Sequence, residues 1–149
     1  MKIKQLSVFL ENRPGQLSAP IRALAEAKIN ISTLCLADTK EFGILRLIIE
    51  EHHRAKTVLE QAGYALNECE VLAVEIPDRP GGLAEMLEVV SAKRVNLSYM
   101  YAFSCGQSGR AMLVLRFDDP DRAISELTEA GMNIVSDSAV LFGPKQAKN

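Results

Sequence analysis

The stretch ENRPGQL at residues 11–17 returns as PDRPGGL at residues 77–83, an offset of 77 − 11 = 66 positions. The same offset relates Asn30 to Asn96, and after two additional residues the agreement resumes at an offset of 68 toward the end of each half. A repeat of this length indicates one compact unit that is written twice. Because the phrase that repeats most clearly is a turn and not a core segment, we infer that the turn carries the function.

Hydrophobic periodicity predicts the same order of elements in both halves. Apolar residues alternate along the predicted strands and recur at helical spacing along the predicted helices, the first of which covers about 16–28. The predicted strands cover residues 3–10, 31–37, 44–50 and 65–69 in the first half, and 72–76, 97–103, 111–117 and 134–141 in the second. This βαββαβ order predicts an α+β fold of two ferredoxin-like units, each with an antiparallel sheet and two helices on one face.

The 149 residues are therefore expected to form two small domains, residues 1–70 and 71–143, followed by a polar tail over 144–149. A unit of roughly 70 residues buries a thin core, so we expect the two halves to support each other. No linker separates the predicted strands at Cys69 and Val71, and a fixed relative orientation of the two units is expected.

Composition excludes several classes of function. With 17 basic and 19 acidic residues and a net charge of −2, the chain lacks the basic stripe of a nucleic-acid-binding protein. It has no apolar run of membrane-spanning length and no leader pattern at its N-terminus, so no membrane partner is expected. Cys35, Cys69 and Cys105 are odd in number and widely spaced, which argues against a disulfide framework and favours a reducing cytoplasm.

The repeated turn has the residue types that capture a small anion. In the first half, Asn12 offers a side-chain oxygen, Pro14 fixes φ, and Gly15 lets a ligand approach the backbone. Free N–H groups at the start of the following helix favour a carboxylate. This chemistry suits the α-carboxylate of a free amino acid. The second half repeats the set as Asp78, Pro80 and Gly81.

An amino acid also carries an ammonium group, for which Asn12 and Asn30 supply acceptors if the end of the first helix lies beside the same pocket. The spacing is 30 − 12 = 18 positions in the first half and 96 − 78 = 18 between Asp78 and Asn96 in the second. A structural interpretation stays open beside this one. Asn or Asp before a helix is often only a cap, and Asn after a helix often fills a left-handed position.

This combination resembles the ACT domain, the βαββαβ module that binds amino acids in regulatory regions of metabolic enzymes. The spacing between ENRPG and Asn30 is similar to that in the serine-binding regulatory domain of phosphoglycerate dehydrogenase. The resemblance implies a ligand that lies at the interface between two ACT domains, held by the turn of one and the second strand of the other, and here both domains would come from one chain. The residues expected to bind ligand are Asn12, Arg13, Pro14, Gly15, Gln16, Leu17, Asn30, Ile31, Asp78, Arg79, Pro80, Gly81, Gly82, Leu83, Asn96 and Leu97.

The two halves depart from each other at the site. Asp78 stands where the first half has an amide, so the second pocket prefers an ammonium group, repels a carboxylate or is empty. Pro20 falls within the first helix, which we expect it to kink or delay. Met86 occupies the same place in the second half. Two non-identical pockets are therefore expected.

Other chemistry-bearing residues form no recognisable site. His52 and His53 are adjacent at a predicted helix start, where successive side chains diverge by about 100° and serve one metal poorly. Cys105 is expected to be a bystander in its loop. Tyr99 and Tyr101 either line a pocket or pack within their strand. We expect no catalytic residues, no metal and no cofactor.

We interpret the chain as a stand-alone tandem ACT protein that senses a free amino acid and passes that state to a regulated enzyme partner. Two alternatives stay open: an assembly subunit that binds no ligand, and a small ferredoxin-like enzyme for which Asp78 is the candidate titratable group. Apolar residues occupy both faces of the strands at 44–50 and 111–117. Because helices cover one face only, we also expect a homodimer.

Overall fold

The structure is a computed structural model that describes residues 2–38, 41–104 and 109–135. The chain divides into two compact units, one of which is Lys4–Cys69 while the other runs on from Glu70 and includes Ile3. The predicted tail at 144–149, most of the predicted last strand and Cys105 lie outside the described residues.

The order of elements confirms the predicted α+β fold. The elements are β1 (Lys2–Glu11), α1 (Ser18–Glu26), β2 (Thr33–Asp38), β3 (Phe42–Ile48), α2 (His52–Gln61), β4 (Leu66–Pro77), α3 (Gly82–Ala92), β5 (Leu97–Ser104), β6 (Arg110–Phe117), α4 (Pro120–Glu129) and β7 (Asn133–Ile134). One difference concerns β4, which was predicted as two short strands. It is continuous because no glycine or proline interrupts the backbone between Leu66 and Ile76.

The first unit has the strand order β2-β3-β1-β4, where β4 contributes its first residues. The pairs β1–β3 and β2–β3 are antiparallel, and the register places Leu6 opposite Leu47 and Val8 opposite Leu45. These four leucine and valine side chains face α1 and α2 and form the core together with Leu24 of α1 and Leu59 of α2. The core therefore occupies the helix side of the sheet.

The second unit repeats this arrangement with the strand order β5-β6-β4-β7. Leu113 and Leu115 of β6 face the helices and join the core cluster that also contains Met86 of α3 and Leu127 of α4. Met112 alternates with them on the opposite face of the strand and is nevertheless fully buried. The β6 strand is thus apolar and buried on both faces.

The two units differ at the start of their first helix. The α3 helix begins at Gly82, which corresponds to position 82 − 66 = 16, whereas α1 begins at Ser18. The predicted start at 16 is therefore wrong, and the delay expected from Pro20 is confirmed. Because Pro20 has no N–H, it fits in the first turn of a helix, where that group has no intrahelical partner.

Candidate ligand-binding site at the β1–α1 turn

Backbone hydrogen bonds hold the first turn in place. The Asn12 N–H donates to the Glu41 carbonyl at 3.0 Å, and the Gln16 N–H donates to the Arg13 carbonyl at 3.2 Å. Gly15 has a φ of +84°, and nothing lies within 4 Å of the position that a Cβ would take. The turn therefore needs glycine for its backbone conformation and has open space above it.

A cavity of about 570 Å³ lies against this turn and the exposed side of α1. Two of its lining side chains are cationic, Arg13 and Arg22, and the others are mostly apolar. Within the described residues, the Arg22 guanidinium makes no hydrogen bond or ion pair, whereas Arg13 Nε lies 3.2 Å from a Glu11 carboxylate oxygen. The lining residues are Arg13, Gly15, Leu17, Ser18, Ile21, Arg22 and Ala25. A small anion with an apolar part fits this combination.

A second cavity, of about 370 Å³, also lies against Arg13. Its lining residues are Glu11, Asn12, Arg13, Glu41 and Phe42. The two cavities share Arg13 but differ in charge, because carboxylates and a carboxamide line the second one. A ligand with one anionic and one cationic group could contact both.

Asn12 and Asn30 do not meet within one unit. In the sheet, Gly43 of β3 lies opposite Leu10 of β1, and Ile48 of β3 lies opposite the start of β2. Asn12 follows β1 at the Gly43 end, and Asn30 precedes β2 at the Ile48 end. Five strand residues, about 17 Å, separate these ends. The expectation that the end of α1 places Asn30 beside Asn12 is therefore wrong for a single unit.

The second turn has the same backbone framework but is closed by its own side chains. The Asp78 N–H donates to the Gly109 carbonyl at 2.9 Å, and Gly81 has a φ of +90°. Arg79 Nη2 donates to both Glu85 carboxylate oxygens, at 2.7 and 2.8 Å. A Cβ on Gly82 would lie 2.3 Å from the Pro77 carbonyl oxygen. The second turn therefore leaves no room for a side chain at Gly82, and the Arg79 guanidinium is already paired with the Glu85 carboxylate.

Residues 1–141 match the family model described as an ACT domain pair. The chain belongs to this family. The ACT domain pair is typical of regulatory proteins that sense amino acids. The family match agrees with the α+β fold of two units described above.

Several solved structures match most of this chain. Protein BT0572 from Bacteroides thetaiotaomicron is 36% identical with a TM-score of 0.87, over 95% of this chain and 97% of that one. The regulatory subunit of aspartate kinase from Thermus thermophilus is 15% identical with a TM-score of 0.62, over 86% and 92% of the two chains. The corresponding subunit from Thermus flavus is also 15% identical with a TM-score of 0.62, over 88% and 94%.

The two Thermus structures show a shared fold. No curated protein matches the chain. Among the described residues, no helix is both long and apolar enough to cross a membrane.

Helix capping does not explain the asparagines of the first ACT unit. Leu17 is the N-cap of α1, and no side chain donates or accepts a capping hydrogen bond there. The left-handed position after α1 belongs to Lys28, with a φ of 56°, and not to Asn30. Within the described part of the chain, neither the Asn12 nor the Asn30 carboxamide makes a hydrogen bond. Asn12 is therefore not a helix N-cap, and Asn30 does not fill the left-handed position after the helix.

In the second ACT unit, Asn96 does have a structural role. Its carboxamide donates a short hydrogen bond to Asp118, and Ser98 Oγ donates to the other carboxylate oxygen at 2.6 Å. The Ser98 and Asn96 hydrogen bonds lower the pKa of Asp118 below its ordinary value, because they stabilise the carboxylate. The amide of Asn96 is thus held at the start of α4.

Sequence reasoning missed several residues that line the cavities. Ser18, Ile21, Arg22 and Ala25 belong to α1, and Glu41 and Phe42 precede or begin β3. One signal was available in the repeat, since Arg22 corresponds to Glu88 at the offset of 66. Such a charge reversal beside the repeated turn shows that the two turns present different charges.

The expectation that the two histidines diverge is also wrong. The rings of His52 and His53 have centroids 4.0 Å apart. Both residues belong to α2, so their rings approach each other through their side-chain torsions even though the helix turns by about 100° between them.

Proposed function

We propose that this protein is a non-catalytic regulator that binds a free amino acid at the β1–α1 turn of its first ACT unit. The observation that supports this function is the cavity of about 570 Å³ over Gly15, with Arg22 in its wall, which pairs with no side chain among the described residues. In the second turn, the arginine that corresponds to Arg13 is Arg79, which is already paired with Glu85. The first turn is therefore the candidate for the ligand.

The two cavities beside Arg13 match the two charged groups of an amino acid. The ligand carboxylate pairs with Arg22 and Arg13, and its ammonium group lies toward Glu11 and the Asn12 carboxamide oxygen. Charge-assisted hydrogen bonds of this kind contribute about 1.5–3 kcal/mol each. The apolar wall formed by Leu17 and Ile21 then contacts the ligand side chain.

Asn30 joins this site from a second copy of the chain, because it lies at the opposite end of the sheet from Asn12. The edge strand β2 supports association, since Leu34 is 47% exposed and Leu36 is 48% exposed. Ligand binding across such an edge would couple the bound state to assembly, and through assembly to a regulated enzyme. This role places the protein in the cytoplasm with its metabolic partner.

A thermal-shift screen with the twenty amino acids tests ligand binding. A ligand at 100 times its dissociation constant adds about 2.7 kcal/mol, which raises the melting temperature by roughly 5–10 °C. Arg22→Ala should weaken binding by about tenfold or more, since a charged hydrogen bond is lost. Glu88→Ala, at the matching position of the second unit, is the control and should leave the shift unchanged. If no amino acid raises the melting temperature, the proposed function fails.

Light scattering tests the association. The expected mass is twice the 16.3 kDa of one chain. Leu36→Glu places a charge on the exposed β2 edge and should give the mass of a single chain. Ala102→Glu changes the matching position of β5, where the native side chain is small, and should leave the dimer intact. A wild-type mass of one chain would contradict the dimer.

A further inference from the structure

Three metal-ligating side chains converge at one end of the first unit, away from the β1–α1 turn. His52 and His53 begin α2, and Glu68 lies in β4. One ligand atom from each of these residues lies within 4.8 Å of the other two. His52 and Glu68 are partly buried, and His53 is exposed. The cluster is therefore ordered by the fold and still reachable from solvent.

The topology of the unit explains the convergence. The β3 strand ends at Ile48, which lies opposite Gln5 of β1, and α2 starts four residues later at His52. The Gln5 side chain donates to Cys69 Sγ at 3.4 Å, so the start of β4 lies at the same end of the sheet. The first turn of α2 and Glu68 are thus brought together from sequence positions 16 residues apart (68 − 52 = 16).

We propose that His52, His53 and Glu68 form a binding site for a divalent transition-metal ion such as Zn²⁺. Two imidazole nitrogens and one carboxylate oxygen are a donor set that zinc takes in proteins, at bond lengths of about 2.0–2.2 Å. Tetrahedral geometry with such bonds needs donor separations of about 3.4 Å. Small rotations of these solvent-accessible side chains bring the ligand atoms to that separation. Three protein ligands leave a fourth position for water.

A neighbouring cation competes for the carboxylate. Lys4 Nζ lies 3.3 Å from a Glu68 oxygen, and the Lys4 side chain is 41% exposed. Because it is exposed, the lysine can turn into solvent when a metal ion takes its place. The positive end of the α2 dipole also opposes a bound cation. Removing the Lys4 charge should therefore strengthen metal binding.

The cluster belongs to the first unit alone. At the offset of 68 that relates the second helices, His52 and His53 correspond to Pro120 and Asp121. Both histidines of the chain are in this one cluster. The ACT fold of the second unit forms its α4 helix without imidazoles, so the histidines are not required to start the helix. A bound metal ion would connect the first turn of α2 to β4.

Calorimetric titration of the chelator-treated full chain with Zn²⁺ tests the site. The expected result is one ion per chain, with affinity reduced about tenfold or more by His53→Ala and by Glu68→Gln. Lys4→Gln should raise the affinity. Glu60→Gln, which changes an exposed carboxylate later in α2, is the matched control and should leave the affinity unchanged. Circular dichroism of each variant shows whether it is folded.

Three outcomes would overturn the proposal. The first is an absence of binding heat at millimolar Zn²⁺ with the wild-type chain. The second is zinc affinity that Glu68→Gln and His53→Ala leave unchanged. The third is binding that disappears when the cysteines are alkylated while the three proposed ligands are intact. A rise in melting temperature with Zn²⁺ in the wild-type chain but not in Glu68→Gln would support the site independently of calorimetry.

Discussion

The two β–α turns share a sequence phrase and a backbone framework, but their surroundings differ. The first turn opens onto a cavity whose wall contains Arg22, an arginine without an ion-pair partner in the part of the chain that the structure describes. In the second, Glu85 pairs with Arg79, and Gly82 packs against the Pro77 carbonyl. The repeated phrase therefore marks the same backbone framework in both units. The neighbouring side chains decide whether the turn is open or closed.

The largest expected effect is on stability, at Gly82. Gly82→Gln gives the second turn the residue of the first, and its Cβ would lie 2.3 Å from the Pro77 carbonyl oxygen. Relieving such a contact requires backbone movement, which costs about 1–3 kcal/mol. The reciprocal change Gln16→Gly, at an exposed turn position, should cost less than about 1 kcal/mol. Urea unfolding of both variants measures the difference, and equal costs would show that the two turns are equally tight.

The next effect is on ligand binding and concerns the internal carboxylate. Ala19 of the first unit corresponds to Glu85 of the second at the offset of 66. Ala19→Glu should place a carboxylate against Arg13 and reduce amino-acid affinity by about tenfold, or 1.4 kcal/mol. Stability should change by less than about 0.5 kcal/mol, because the position is exposed.

The reciprocal variant Glu85→Ala frees Arg79 in the second turn. Calorimetry should then detect weak additional binding of the amino acid that the first turn takes. If Ala19→Glu leaves the affinity unchanged, the ligand does not contact Arg13 in the first turn. That result would leave the fold and the family assignment as they are.

The fold was largely predictable because its signals are local. The alternation of Leu6, Val8 and Leu10 predicted β1, and the repeat then predicted the order of elements in the second unit. The structure places these three side chains in the core. The start of α1 was less predictable, because it depends on how one residue, Pro20, fits into the first helical turn.

The site was only partly predictable because its residues are far apart in the sequence. The turn residues Arg13 and Gly15 line the cavity over the first turn, and their role in ligand binding stays a prediction. The placement of Asn30 depends on strand register, which an equal spacing of 18 positions cannot show. Arg22 was missed because an isolated arginine on a helix is usually a solvated surface residue. Glu68 was missed because its proximity to His52 arises from the packing of α2 beside β4.

The smallest expected effect concerns Asn96, whose side chain is hydrogen-bonded within the second unit. Asp118→Asn removes the carboxylate that accepts hydrogen bonds from Ser98 and Asn96. The folded-state pKa of Asp118 is lowered from 3.8, so its carboxylate stabilises the fold above that pH. The stabilisation is lost as the pH falls through the lower folded-state pKa. At neutral pH the variant should therefore melt slightly below the wild type, and in strong acid the two should melt together.

Melting curves between neutral pH and strong acid measure this convergence. Ser98→Ala removes the hydrogen bond that lowers the pKa most, and it should show part of the same pH-dependent loss. A gap between Asp118→Asn and the wild type that stays constant with pH would show that packing, and not the carboxylate charge, stabilises this corner. The convergence would establish that Asn96 is held by a charged partner in the second unit.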